Sequence, residues 1–109
     1  MTDYQSGDVV LLRYLFTNAE GAKKRPALVL RDTGDDDVIL ARVTSQVSRR
    51  DPFDVELTHW AQAGLVVRSV ARVHKVLTAE KGLIERRLGS LTSDDWTQVQ
   101  AAIRRLWAL

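Results

Sequence analysis

Arg72 and His74 stand two residues apart in Val70-Ala71-Arg72-Val73-His74-Lys75, a β-prone run. Alternate side chains of an extended segment share a face, so the two point the same way while Ala71 and Val73 point toward the core. Histidine titrates near neutrality and suits proton transfer. Arginine keeps its proton, and its natural task is to stabilise developing negative charge. Two more strings carry groups that handle phosphate. Lys23-Lys24-Arg25-Pro26 puts three cations where a loop enters the apolar Ala27-Leu28-Val29-Leu30, and Val43-Thr44-Ser45-Gln46 puts hydroxyls and an amide where a strand ends. Cleavage of RNA by its own 2′-hydroxyl needs a base, a donor for the leaving oxygen and cations for a charged phosphorane. These residues can supply all three, although neither string specifies a reaction alone. Charges also guard strand edges, and polar residues often close a strand.

Other chemistries lack their residues. There is no cysteine, hence no disulfide framework, thiolate nucleophile or zinc–thiolate site. Glycine-rich phosphate loops, nucleophile elbows and zinc-ligand spacings are missing. Asp35-Asp36-Asp37 are adjacent in a turn and point apart, so no metal and no cofactor is expected. His59, next to Trp60, has no neighbour of the Arg72 kind and reads as a packing residue. The 16 basic residues nearly balance 14 acidic ones, so net charge says little about nucleic acid. Arginine predominates among the bases, and it grips phosphate in a bidentate way that lysine cannot.

The elements that must position these groups read as mostly β with a helical tail. Asp8 to Phe16 is a nearly continuous apolar strand, and Thr17 to Ala22 a polar loop. Arg25-Pro26 opens a strand over Ala27 to Leu30, since a strand's first residue need not donate to the ladder. A turn at Asp32 to Asp37 leads into a strand over Val38 to Val43. Phe53 to Leu57 alternates as a half-wet strand should. Val70 to Leu77 is a further strand, and Leu83 to Leu88 a short last one. Thr92-Ser93-Asp94-Asp95 has capping-box spacing, with hydroxyl and carboxylate set for the first free amides. Trp96, Val99, Ile103 and Leu106 then form one apolar stripe. Several short strands with regular turns favour a small barrel in a single domain over residues 1–109. No apolar run approaches the roughly 20 residues of a membrane span, and the polar start is not a signal peptide, so the cytoplasm is the expected compartment.

Gly7-Asp8-Val9-Val10, Lys24-Arg25-Pro26-Ala27-Leu28-Val29-Leu30, Thr44-Ser45-Gln46, the Ser69-to-Lys75 strand and Leu88-Gly89 before the helix resemble, in this order, the MazF/PemK family of toxin endoribonucleases. The resemblance implies an SH3-like β-barrel with a C-terminal α-helix, assembled as a homodimer. It implies cleavage of single-stranded RNA without metal, leaving a 2′,3′-cyclic phosphate. The partner would be a cognate antitoxin with an acidic tail, and operator DNA would be met only through that antitoxin. Arg25 matches the family's catalytic arginine, Thr44 its phosphate-contacting threonine and Ser45 a neighbouring substrate contact. Arg72 and His74 match an arginine and an aspartate implicated in the PemK branch. The expected catalytic set is therefore Arg25, Thr44, Arg72 and His74, with Lys23, Lys24, Arg42, Ser45, Gln46 and Phe53 as RNA contacts. Three positions depart from the family pattern: His74 stands for aspartate, and Arg42 and Arg68 stand for prolines. The alternative on the same barrel is a non-catalytic module that binds RNA or protein.

Overall fold

The computed structural model describes residues 2–15, 22–48 and 50–109. Its elements are β1 (Asp8–Leu15), β2 (Ala22–Arg31), β3 (Asp37–Thr44), β4 (Asp54–Leu57), β5 (Ser69–Glu80), a 3-10 turn (Lys81–Leu83), β6 (Ile84–Ser90) and α1 (Ser93–Trp107). The strands form one sheet in the order β4-β5-β3-β2-β1-β6, every pair antiparallel. β4 and β6 end the sheet and do not pair with one another, so the expected barrel is an open one. The expected loop from Thr17 and the end of the first strand at Phe16 lie outside the described residues, apart from Ala22, which begins β2.

Both faces of the sheet are covered. Val9, Leu28, Ala41, Leu57 and Val73 form one buried cluster with Val99 and Ala102 of α1, while Val10, Leu12, Ala27, Val29 and Leu40 form the other. Chain neighbours such as Val9 and Val10 therefore serve opposite faces, which is why β1 reads as unbroken rather than alternating. Each such side chain, once buried, contributes roughly 1.5–3 kcal/mol by leaving water.

The second strand starts earlier than the sequence implied. Lys23, Lys24 and Arg25 are not in a loop but within β2, opposite Tyr14, Arg13 and Leu12 of β1. Pro26 faces Leu11 on that side, and β3 joins β2 only from Ala27 onward. The proline thus lies where β2 has one neighbour, so its missing N–H costs no ladder bond on the open side.

β5 is longer than expected, and it is broken in register. Ala41 pairs with Val76, yet the next residue, Arg42, pairs with Arg72, which leaves Val73, His74 and Lys75 without a partner on β3. The Val73 amide donates instead to the Phe53 carbonyl at 3.2 Å.

The helix begins as the sequence implied at its hydroxyl and not at its carboxylate. Thr92 is the N-cap, and its Oγ1 accepts from the Asp95 amide at 3.3 Å. Asp95 does not reach back along its own helix. Its carboxylate is almost fully buried and accepts from the Thr58 amide, the Thr58 hydroxyl and the His59 amide at 3.2, 2.8 and 2.9 Å. Those bonds pin the segment after β4 to the helix. Turn bonds from the amides of Ala63 and Leu65 to the Trp60 carbonyl, both at 3.1 Å, continue the fixing up to residue 65. Among the described residues no helix is long and apolar enough to cross a membrane.

Candidate active site

A cleft of about 520 Å³ opens where the ends of several elements meet. β2 brings Lys24, Arg25 and Pro26; the end of β3 brings Arg42 and Thr44, followed by Ser45 and Gln46. The segment pinned by Asp95 brings Leu65, Val66 and Val67, and the start of β5 brings Ser69 and Arg72. Four cations border this space, and none of the described residues lining it is acidic. A lining that carries cations and no carboxylate of its own favours an anion such as phosphate.

The cations differ in how they are held. Arg25 is exposed and makes no ion pair among the described residues, so its planar fork is open to a ligand. Lys24 reaches Glu85 of β6 at 2.9 Å, a half-exposed pair that ties it sideways. Arg72 lies deeper, with its side chain 27% exposed, and is gripped by two carboxylates. Its Nη2 meets Asp51 Oδ2, and its Nε donates to Asp54 Oδ1 at 3.3 Å. Arg42 stands directly opposite Arg72 on β3, as Asp54 does on β4. Thr44 Oγ1 accepts from the Gln46 amide at 3.1 Å, a turn that ends β3 and leaves the hydroxyl hydrogen to donate elsewhere. At the rim, Val66 and Val67 are 88% and 48% exposed, an apolar edge beside the cations.

The structure thus brings together Arg25, Thr44 and Arg72, with Lys24, Arg42, Ser45 and Gln46 around them. It does not bring Lys23, Phe53 or His74 into the lining of the cleft. His74 does share a side with Arg72, as the alternation implied, and its Nε2 lies 3.9 Å from the same Asp51 Oδ2. Phe53 packs over the imidazole, with ring centres 6.2 Å apart, rather than toward the cleft. Nδ1 of His74 is buried and has no hydrogen-bond partner.

Sequence reasoning missed Asp51 and Asp54. The only local signal was Asp51-Pro52-Phe53-Asp54, in which two acids flank a proline turn ahead of a strand. One grouping of metal-ligating residue types does occur that the sequence did not suggest. Ligand atoms of Asp51, Asp54 and His74 lie within 4.8 Å of one another, close enough to hold an ion. The Arg72 guanidinium, however, already occupies an oxygen of each carboxylate. The aspartates at 35–37 do turn beside Glu80 and Lys81 at a surface recess, away from this cleft.

His59 has no arginine beside it, and its contacts are those of a packing residue. Its Nδ1 lies 3.1 Å from the Thr58 hydroxyl, 3.2 Å from that of Thr92 and 3.7 Å from Asp95 Oδ2. A catalytic triad needs acid and nucleophile on opposite ring nitrogens. Here all three partners meet one nitrogen, so the group is a helix-cap clamp.

Elsewhere one carboxyl is strongly perturbed. Burial pushes the Asp32 carboxyl up, but bonds from the Gly34 amide, Lys81 and the amides of Tyr4 and Asp3 outweigh it and hold the group well below the usual carboxylate range. This network fastens the N-terminal segment to the turn before β3 and carries no reactive group.

Solved structures share the fold along nearly the whole chain. A MazE–MazF complex from Deinococcus radiodurans (crystal form II) superposes with a TM-score of 0.78 at 24% identity, covering 98% of this chain and 99% of that one. An endoribonuclease from a mycobacterial species gives 0.75 at 17%, covering 100% and 95%. A mycobacterial endoribonuclease in complex with its cognate antitoxin gives 0.73 at 18%, covering 100% and 97%. No curated protein sequence matches the chain significantly. The family model of PemK-like, MazF-like toxins does match, over residues 5–107, and so takes in every element from β1 to α1. The chain belongs to the PemK-like, MazF-like toxins of type II toxin–antitoxin systems.

Proposed function

We propose that this toxin is an endoribonuclease that cuts single-stranded RNA, with mRNA as its target, by attack of a 2′-hydroxyl on the adjacent phosphate. The observation that carries the reading is the acid-free cleft in which Arg25, Thr44 and Arg72 converge from three elements. RNA supplies its own nucleophile in this reaction, so the protein's work is to bind, orient and stabilise charge. Arg25, which makes no ion pair among the described residues, meets the phosphorane oxygens through its fork. Thr44 donates its hydroxyl hydrogen to a second oxygen, and Arg72 supplies charge from the deeper wall. The proton acceptor next to that wall is His74, whose Nε2 lies 3.9 Å from the Asp51 carboxylate that holds Arg72. Lys24, Arg42, Ser45 and Gln46 hold the flanking backbone. Product and metal requirement follow from the mechanism: a 2′,3′-cyclic phosphate, formed equally well in EDTA.

The same cleft suits an antitoxin, since an acidic segment laid along it would neutralise the cations RNA needs. Named neighbours with a MazE partner or a cognate antitoxin support that reading. A cytoplasmic homodimer is also part of the proposal. Trp107 and Leu109 are 52% and 89% exposed beside the helix's C-terminus, apolar surface for a second copy to cover.

The test is cleavage of single-stranded RNA by the purified chain and by Arg25→Ala. Removing one preorganised donor costs about 10²–10³-fold in turnover, roughly 2.7–4 kcal/mol of transition-state stabilisation. The melting temperature should hardly move, because Arg25 is exposed. Tight RNA binding without cleavage by the wild-type chain would favour the non-catalytic module instead.

A further inference from the structure

We propose that Asp51 is a positioning residue, the carboxylate that sets both Arg72 and His74 in their working arrangement. The inference rests on the ribonuclease reading above and extends it to a residue outside the cleft's lining. Asp51 is itself held. Its amide donates to Asp54 Oδ2 at 2.9 Å, and the Asp54 amide donates back to the Asp51 carbonyl at 3.0 Å, closing a reciprocal turn around Pro52 and Phe53. One oxygen of this fixed carboxylate serves two side chains, since Oδ2 meets Arg72 Nη2 and lies 3.9 Å from His74 Nε2. Asp54, whose side chain is only 2% exposed, takes the other end of the same guanidinium. Arg72 is therefore held at two points, and its orientation toward the cleft is determined by them.

His74 depends on Asp51 more completely. Its Nδ1 is buried and has no hydrogen-bond partner among the described residues, and the Phe53 ring lies tilted beside it, so Asp51 is its polar connection among those residues. The break in β5 explains the need for an anchor. Val73, His74 and Lys75 have left β3, and the pairing to β3 that would fix their twist is missing. Just before them Arg72 faces Arg42 across the strands, and like charges so placed repel. Asp51 answers both problems at one point. Asp51 and Asp54, the two carboxylates that with His74 would invite a cation, already have one in Arg72.

The placement gives Asp51 an unusual kinetic signature. A negative charge beside a basic cleft weakens RNA binding, so removing it should tighten binding even as it misplaces the catalytic arginine. Asp51→Asn keeps the side chain's shape and one acceptor oxygen while deleting the charge. In this variant kcat should fall between tenfold and a hundredfold, about the effect of a small misplacement of a reacting group. KM should stay constant or decrease, and any acidic limb of the pH–rate profile should persist. In an Arg72→Ala background the same change should have a smaller effect on kcat, because the part that passes through Arg72 is already lost and only the part through His74 remains. Asp51→Glu, which retains the charge on a longer stem, should recover part of the loss, and Asp36→Asn at the distant recess serves as a charge control.

Three results would overturn the proposal: an unchanged or raised kcat in Asp51→Asn, a loss fully additive with Arg72→Ala, or disappearance of the acidic limb, which would make Asp51 the base itself. A raised KM together with a lowered melting temperature would make Asp51 merely structural, and so also overturns it. The absence of any cleavage by the wild-type chain would instead remove the ribonuclease reading beneath it. Wild-type cleavage with an indifferent Asp51→Asn sinks this inference alone.

Discussion

Replacing Gly64 by alanine should be among the most damaging single-atom additions this fold can receive. Gly64 has φ +85°, a conformation that L side chains rarely adopt. A Cβ there would lie 2.1 Å from the Leu88 carbonyl oxygen and 2.5 Å from its carbon. From the other side, a Cβ on Gly89 would sit 2.6 Å from both the carbon and the oxygen of Ala63. Two main chains therefore touch, 63–64 against 88–89, and neither can retreat easily. One is stapled by turn bonds to the Trp60 and Ala61 carbonyls, and the other is paired through Gly89 with Val9 of β1. Left-handed backbone costs an alanine about 1–2 kcal/mol, and forcing an atom into packed surroundings about 1–3 kcal/mol. Gly64→Ala should lose about 4 kcal/mol, a large part of the 5–15 kcal/mol a domain typically possesses. Gly89→Ala meets the second cost alone and should lose about 2–3 kcal/mol. Gly82, with nothing within 4 Å of its hypothetical Cβ and no positive φ, is the control. There alanine restricts the unfolded chain and should be neutral or stabilising by up to about 1 kcal/mol. Urea unfolding followed by tryptophan fluorescence gives all three values. If Gly64→Ala and Gly82→Ala unfold within 1 kcal/mol of one another, the close approach of these backbones is not what the geometry says.

Four shorter predictions accompany it. Asp95→Ala deletes a buried acceptor of three bonds and should cost about 3 kcal/mol by chemical denaturation, with the segment before β5 loosening in hydrogen exchange. Thr92→Ala, the cap alone, should cost about 1 kcal/mol in the same assay. Asp32 is held below its ordinary range when folded, so its stabilisation is complete above pH about 4 and is lost as pH falls through the folded value. Asp32→Asn should therefore be less stable at neutral pH and show a flatter acid limb in thermal melts taken from pH 7 to 2. Burial pushes the Lys81 ammonium down, but its bonds to Asp32 and Asp3 outweigh this and raise its pKa. Its stabilisation should persist below about pH 10 and fade as pH rises through the folded value, and Lys81→Met should abolish that alkaline loss.

Much of this molecule was written locally. The apolar runs from Asp8, Ala27 and Val38 became β1, β2 and β3, and the Thr92 cap with its stripe became α1, because period and capping act within a few residues. Arg25, Thr44 and Arg72, one from each chemical string, do line one cleft, while Lys23 and His74 do not, and the resemblance led to the family that the chain belongs to. What stayed hidden was set by partners distant in sequence. Lys23 to Arg25 look like a loop until β1 is laid beside them. Asp95 has the spacing of a local cap, yet its carboxylate serves amides 36 and 37 residues away. Asp51 and Asp54 gain meaning only from Arg72 across the ladder, and the break that turns His74 aside has no mark in an otherwise regular strand.

That break divides β5 into two stretches with separate duties. Val76 to Glu80 runs against the second half of the sheet's interior, while Ser69 to Arg72 sits between β3 and β4 and carries the cleft's deep cation. The three residues between them carry the change of register, and Val73 among them stays anchored in the core. Dropping one would reverse which way Arg72 faces relative to Val76. Lineages that lengthen or shorten this stretch could thus re-aim the cleft against new RNAs or new antitoxins, provided that Val73 keeps its place in the core.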